Sequence, residues 1–174
     1  MSKSPTYSRR FIFSLMAGAA TFTLTPAETL AQSRKFYAKR LKGKRAPKIQ
    51  IGNWLQGKTS TKGKPILLKF FATWCPVCRT SVKPLSRLQK ELGSRVTVIA
   101  ISNQSKSTVQ RFLNDRNAKF SVGLDDKGKT FDAYGLQNVF PHFVLINSKG
   151  RVVDEGPMPV HNYARLKKRI KRWV

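Results

Sequence analysis

Trp74-Cys75-Pro76-Val77-Cys78 follows almost directly on Ile66-Leu67-Leu68-Lys69-Phe70-Phe71, and its two cysteines are the only ones in the chain. An apolar run of that length suits a central strand covered on both faces. Pro76 fits the first position of a helix, where its missing N–H costs nothing, which puts Cys75 at the N-cap. A buried strand feeding straight into a helix is the first step of the strand–helix alternation that makes an α/β layer architecture. It also sets the first sulfur, expected to be exposed, at the positive end of a helix, a place that suits a nucleophilic thiolate.

Two thiols at this spacing can close into a disulfide and reopen. Other uses of the pair fit less well. A structural bridge over so short a loop would constrain the unfolded chain little. Haem attachment requires a His directly after the second Cys, and that residue is Arg79. Zinc would have to recruit His142 and His161, at a spacing that fits no finger pattern. A Cu(I)-binding or copper-delivery module built on Cys75, Cys78 and His142 remains the competing class.

The rest of the chain alternates strand and helix patterns. Ile49 and Ile51 suggest a first edge strand, and Val96–Ile101 a second buried strand. Val82, Leu85, Leu88 and Leu92 mark the buried stripe of the helix that opens at the motif, which Pro84 should kink. Ser107 and Gln110 suggest a capping box ahead of Val109, Phe112 and Leu113. A short helix is expected over Thr130–Tyr134. Phe143–Ile146 and Arg151–Asp154, joined by Asn147-Ser148-Lys149-Gly150, read as an antiparallel hairpin. A last helix should carry Tyr163, Leu166, Ile170 and Trp173 on one face.

Several of these pieces together resemble the thioredoxin fold and, within it, the TlpA-like (ResA-type) exported thiol–disulfide oxidoreductases. The similar segments are Gly63-Lys64-Pro65-Ile66-Leu67-Leu68 running into Phe70-Phe71-Ala72-Thr73-Trp74-Cys75, then Ala100-Ile101-Ser102, Tyr134-Gly135-Leu136, and Pro141 with Phe143–Gly150. The resemblance covers about residues 46–172. It implies a central mixed sheet of four to five strands flanked by helices, and protein thiols and disulfides as partners. No prosthetic group is implied, the redox group being a Cys75–Cys78 disulfide. Cys75 would attack and Cys78, buried, would resolve. Trp74, Pro76, Val77, Phe140 and Pro141 would form the surface that meets a partner, with Pro141 in cis. Three departures stand out. Ser81 sits where many relatives carry an acid, the helix proline falls one residue late, and Tyr134–Pro141 is one residue longer than the common spacing.

Lys69 lies six positions before Cys75, where thioredoxins often bury an acid. A desolvated ammonium must lose its proton more easily or find an anion. Beneath the motif it would favour a Cys78 thiolate, stabilise the reduced dithiol and make the disulfide form a stronger oxidant. Alternatively its head reaches the edge of the sheet and has no redox role.

The N-terminus bears on location. Arg9 and Arg10 precede the uncharged stretch Phe11–Leu24, 14 residues long, which is short for a bilayer span and suits a secretory signal. Thr29-Leu30-Ala31 offers a cleavage site, giving a signal peptide over 1–31 with a twin-arginine signal or an uncleaved anchor as variants. The expected location is the periplasm or the extracytoplasmic face of the inner membrane, where an upstream membrane electron donor would serve the dithiol. Residues 32–48 read as a basic flexible leader, with eight basic residues between 34 and 48, and 49–174 as the thioredoxin-like domain. The chain carries +26, and residues 49–174 alone hold 23 basic against 7 acidic groups. No nucleic-acid motif accompanies that charge, so an anionic membrane surface or an acidic protein is the expected counterpart.

Overall fold

A computed structural model describes residues 38–137 and 139–174. The signal-peptide reading of 1–31 and the first part of the leader lie outside the described residues. Among those described, no helix is long and apolar enough to cross a membrane.

Among the described residues six strands form one mixed sheet in the order β1-β4-β3-β2-β5-β6, one more than the upper end of the expected range. They are β1 (Asn53–Gln56), β2 (Ile66–Phe70), β3 (Thr97–Ser102), β4 (Ser121–Leu124), β5 (His142–Ile146) and β6 (Val152–Gly156). The helices are α1 (Pro76–Thr80), α2 (Val82–Leu92), α3 (Lys106–Arg116), α4 (Lys129–Ala133) and α5 (Tyr163–Lys171). β2 is central, parallel to β3 and antiparallel to β5, and every residue of it is buried.

Strand alternation sorts β2 between two cores. Ile66, Leu68 and Phe70 join Ile99, Ile101, Phe131 and Tyr134 on one side. Leu67 and Phe71 join the dithiol, the α2 stripe, Phe112, Leu166 and Ile170 on the other. Lys69 shares the parity of Leu67 and Phe71, so it extends towards the dithiol side.

Several local expectations are corrected. The first strand is Asn53–Gln56 rather than Ile49–Ile51. Ile51 instead covers β4, where a Cβ on Gly123 would lie 2.5 Å from its Cγ2, so only glycine lets it sit there. β4 itself is short and carries that glycine, which weakens its signature in the sequence. The cap of α3 is Ser105, whose hydroxyl accepts from the Thr108 N–H, not a Ser107–Gln110 box. The dithiol helix breaks at Ser81, because Pro84 has no N–H to offer the Thr80 carbonyl. Trp173 lies beyond the end of α5 and is 42% exposed, while Leu166 and Ile170 alone of the expected stripe are fully buried.

Residues 38–48, expected to belong to a flexible leader, bond to and pack against the domain. Both carboxylate oxygens of Glu155 accept from the Leu41 N–H, at 3.0 and 3.1 Å, and one also accepts from the Lys42 N–H at 3.0 Å. Gly43 and Lys44 bond the backbone of Val152, and Arg45 bridges to Arg151. Leu41 is buried in the second core. Paired backbone and one buried leucine outweigh repulsion among side chains that water screens.

Candidate active site

The site forms where β2 ends and α1 begins. Cys75 takes an extended N-cap conformation, Pro76 occupies the first helical turn, and the Cys75 Sγ accepts a hydrogen bond from the Cys78 N–H at 3.3 Å. Both cysteines are free thiols here. Cys75 is 4% exposed and Cys78 fully buried, so the expectation of an exposed first sulfur is corrected. An N-cap side chain folds back over its own first turn, and this one withdraws behind its neighbours. The surface above it is Trp74, 60% exposed, with exposed Pro76 and Val77. Phe140 stands edge-on to the Trp74 indole, ring centres 5.8 Å apart, and the Phe140–Pro141 peptide bond is cis.

Cys78 is held as a thiol. Burial first, and then its hydrogen bond to Cys75, push its pKa up to about 12, against a smaller opposing pull from Lys69. Lys69 is itself 1% exposed. Its Nζ donates to the Ser81 hydroxyl at 2.7 Å and to the Cys78 carbonyl at 3.1 Å, and stands 5.3 Å above the Phe71 ring. Ser81 in turn donates to the same carbonyl at 2.8 Å. Among the described residues no carboxylate pairs with this ammonium. Burial therefore lowers its pKa to about 8, with Cys78 and Cys75 pulling the other way. The head does not reach the sheet edge; it lies beneath the turn that carries the sulfurs.

Sequence reasoning did not anticipate the ties that aim this turn. The Thr73 N–H donates to the Gln104 Oε1 at 2.7 Å, fastening the loop after β3 to the motif. Arg79 Nε donates to the Thr73 carbonyl at 2.8 Å. Neither residue belongs to a recognisable pattern, so only the folded chain brings them together. His142, the third ligand of the copper alternative, pairs with Phe70 in the sheet, and its ring lies 6.4 Å from the Phe70 ring. Burial lowers its pKa despite Glu155 nearby. Among the described residues, no three His, Cys, Asp or Glu side chains gather as a metal site.

The redoxin family model matches residues 41–168. The chain belongs to the redoxin family. The thiol-disulfide oxidoreductase ResA of Bacillus thuringiensis (strain Al Hakam) is 31% identical over 89% of both chains. The thioredoxin-like protein YneN of Bacillus subtilis is 31% identical over 64% of this chain and 69% of its own length. Among solved structures, the thioredoxin domain of a thiol-disulfide oxidoreductase from Bacteroides vulgatus superposes with a TM-score of 0.67, over 78% of this chain and 99% of that one, at 21% identity. This redoxin thus has the thioredoxin fold and is an enzyme of the thiol–disulfide oxidoreductase class. The family match begins at Leu41, the residue that Glu155 fastens to the domain.

Proposed function

We propose that this redoxin is exported and exchanges disulfides with partner proteins through Cys75 and Cys78, acting as a reductant. The observation that carries the reading is a helix N-cap cysteine whose sulfur accepts from the N–H of the second cysteine, beneath the exposed rim of Trp74 and Val77. In the forward direction the Cys75 thiolate attacks one sulfur of a partner disulfide. A mixed disulfide forms and the other partner sulfur leaves as a thiolate. Cys78, after losing its proton, attacks the Cys75 sulfur, closes the intramolecular disulfide and releases the second partner thiolate. Two electrons have moved from the dithiol to the partner, and an upstream membrane electron donor must restore them. An oxidant would run the same steps backwards.

Burial of Cys78 makes its deprotonation the demanding part of resolution, since only a thiolate attacks. Trp74, Pro76, Val77, Phe140 and Pro141 supply the apolar surface that receives the partner. Lys69 serves as a redox-tuning residue: its charge favours thiolate in the pair and so stabilises the reduced form. Lys69→Met should then lower the reduction potential by roughly 30 mV, equivalent to a tenfold change in the equilibrium. An unchanged potential removes that role. Export rests on the charged pair and apolar stretch of residues 9–24, and the exposed basic groups of α5 are suited to an anionic membrane surface.

The test is a Cys78→Ser variant of the full chain, expressed in its native compartment. Covalent adducts with other polypeptides that dithiothreitol dissolves are expected, and they should vanish when Cys75 is also replaced by serine. A dithiol that stays in one state across graded glutathione mixtures would end the reading.

A further inference from the structure

Beside the dithiol the surface opens into a cleft of about 290 Å³. Two of its lining residues flank the motif: Thr73 stands two positions before Cys75, and Arg79 directly follows Cys78. Arg111 and Arg116 enter from α3, together with Asp115, the one acid of the lining. Arg79, Arg111 and Arg116 are all exposed. Arg79 is held in place by its Nε bond to the Thr73 carbonyl, and its side chain makes no other hydrogen bond among the described residues. The Arg116 guanidinium lies 5.9 Å from the Phe112 ring centre.

None of these three arginines takes part in an ion pair among the described residues. Most of the domain's acids are committed elsewhere. Glu91 holds Arg87 and Lys167, and Asp154 holds Arg169. Glu155 fastens residues 41 and 42, while Asp125 caps α4. Three guanidinium groups therefore face one acid in a concave site whose lining includes Thr73 and Arg79, the residues on either side of the motif. Guanidinium presents its donors in a planar fork that matches a carboxylate, and its charge is permanent.

Resting on the disulfide-exchange reading, we infer that this cleft binds carboxylate side chains flanking the reacting cysteine of the partner, so that the enzyme selects acidic protein segments. The apolar rim of Trp74 and Val77 receives the cysteine and its nearest neighbours. The extended partner chain then carries Asp or Glu, a few residues away, onto Arg111 and Arg116.

The test uses the reduced full-length protein and three peptides of equal length, each with one disulfide flanked by Glu, Gln or Lys. Two variants accompany it. Arg111→Ala/Arg116→Ala removes the positive charge that α3 brings to the cleft. Lys64→Ala/Lys149→Ala removes the same charge from exposed positions at the opposite end of the sheet, beyond the paired ends Ile66 and Ile146. At low salt the parent should reduce the Glu peptide with a kcat/KM about fivefold above that for the Gln peptide, the size expected of two exposed charge pairs. The preference should shrink as salt rises. It should disappear in the arginine variant and persist in the lysine variant. Equal rates on Glu and Gln peptides in the parent overturn the inference. So does an equal loss of preference in both variants, which would assign it to net charge. Failure to exchange with any disulfide, neutral bis(2-hydroxyethyl) disulfide included, overturns the dithiol reading beneath it.

Discussion

Asp125 and Lys69 are both nearly sealed from solvent, 3% and 1% exposed, yet the molecule treats them in opposite ways. The Asp125 carboxylate accepts the Thr130 and Phe131 N–H groups at 2.7 and 2.8 Å, filling the vacant donors at the start of α4. That anion meets the positive end of a helix and its bonds are charge-assisted. Among the described residues Lys69 has only neutral oxygens and an aromatic face. A buried cation without a counter-ion contributes little to holding a fold, because its desolvation offsets its hydrogen bonds. The α4 flank uses burial of charge for architecture. Beneath the dithiol, burial of charge leaves a group whose protonation senses the sulfurs.

The sharpest way to break that contrast is to remove the ammonium. The Lys69 pKa falls from 10.5 to about 8 on folding, so between those values the unfolded chain holds more protons than the folded one, and this group makes stability rise with pH. Below pH 8 the full burial penalty is present. Lys69→Met is therefore expected to be more stable than the parent at pH 7, by up to about 3 kcal/mol. That gap should close as pH climbs through 8 towards 10.5, which urea unfolding across a pH series would follow. A variant less stable than the parent at pH 7 would show that Lys69 holds the fold as Asp125 does.

Next in size, Asp125→Ala should lose about 2 kcal/mol by leaving two first-turn N–H groups of α4 without acceptors. Its unfolding midpoint should drop, while disulfide exchange below that midpoint stays near the parental rate. An equal fall in exchange would erase the division between the two regions. Ser81→Ala takes from Lys69 its nearest acceptor and should lower stability by roughly 1 to 2 kcal/mol at pH 7. The same variant at pH 11, where the amine is neutral, should lose less. The smallest effect is expected of Ser105→Ala, about 1 kcal/mol for the loss of one helix cap. Thermal unfolding resolves it.

The legible parts of this redoxin are those where one periodic signal dominates. The β2 run, the Cys75-Pro76 helix start and the α2 stripe of Val82, Leu85, Leu88 and Leu92 stand as the sequence pattern implies. Strand β4 was hidden because four residues including Gly123 give no alternation long enough to read. The cap of α3 is not legible in the sequence because Ser105 and Ser107 are chemically alike, and only backbone geometry selects between them. The basic composition of residues 34–48 suggested mobility, because composition registers side-chain repulsion and is blind to the Glu155 carboxylate 114 positions away from Leu41.

Amino-acid order alone determined that two thiols three residues apart would meet a helix N-terminus, since strand, proline and helix pattern are all local. It also placed a lysine on the strand beneath them and left the domain strongly basic. Only tertiary structure decided that the first sulfur is recessed, that Lys69 meets the Ser81 hydroxyl and the Cys78 carbonyl, and that Arg79 shares a cleft with Arg111 and Arg116. Burial and charge pairing depend on which distant segments arrive at the same place, and no local pattern specifies that.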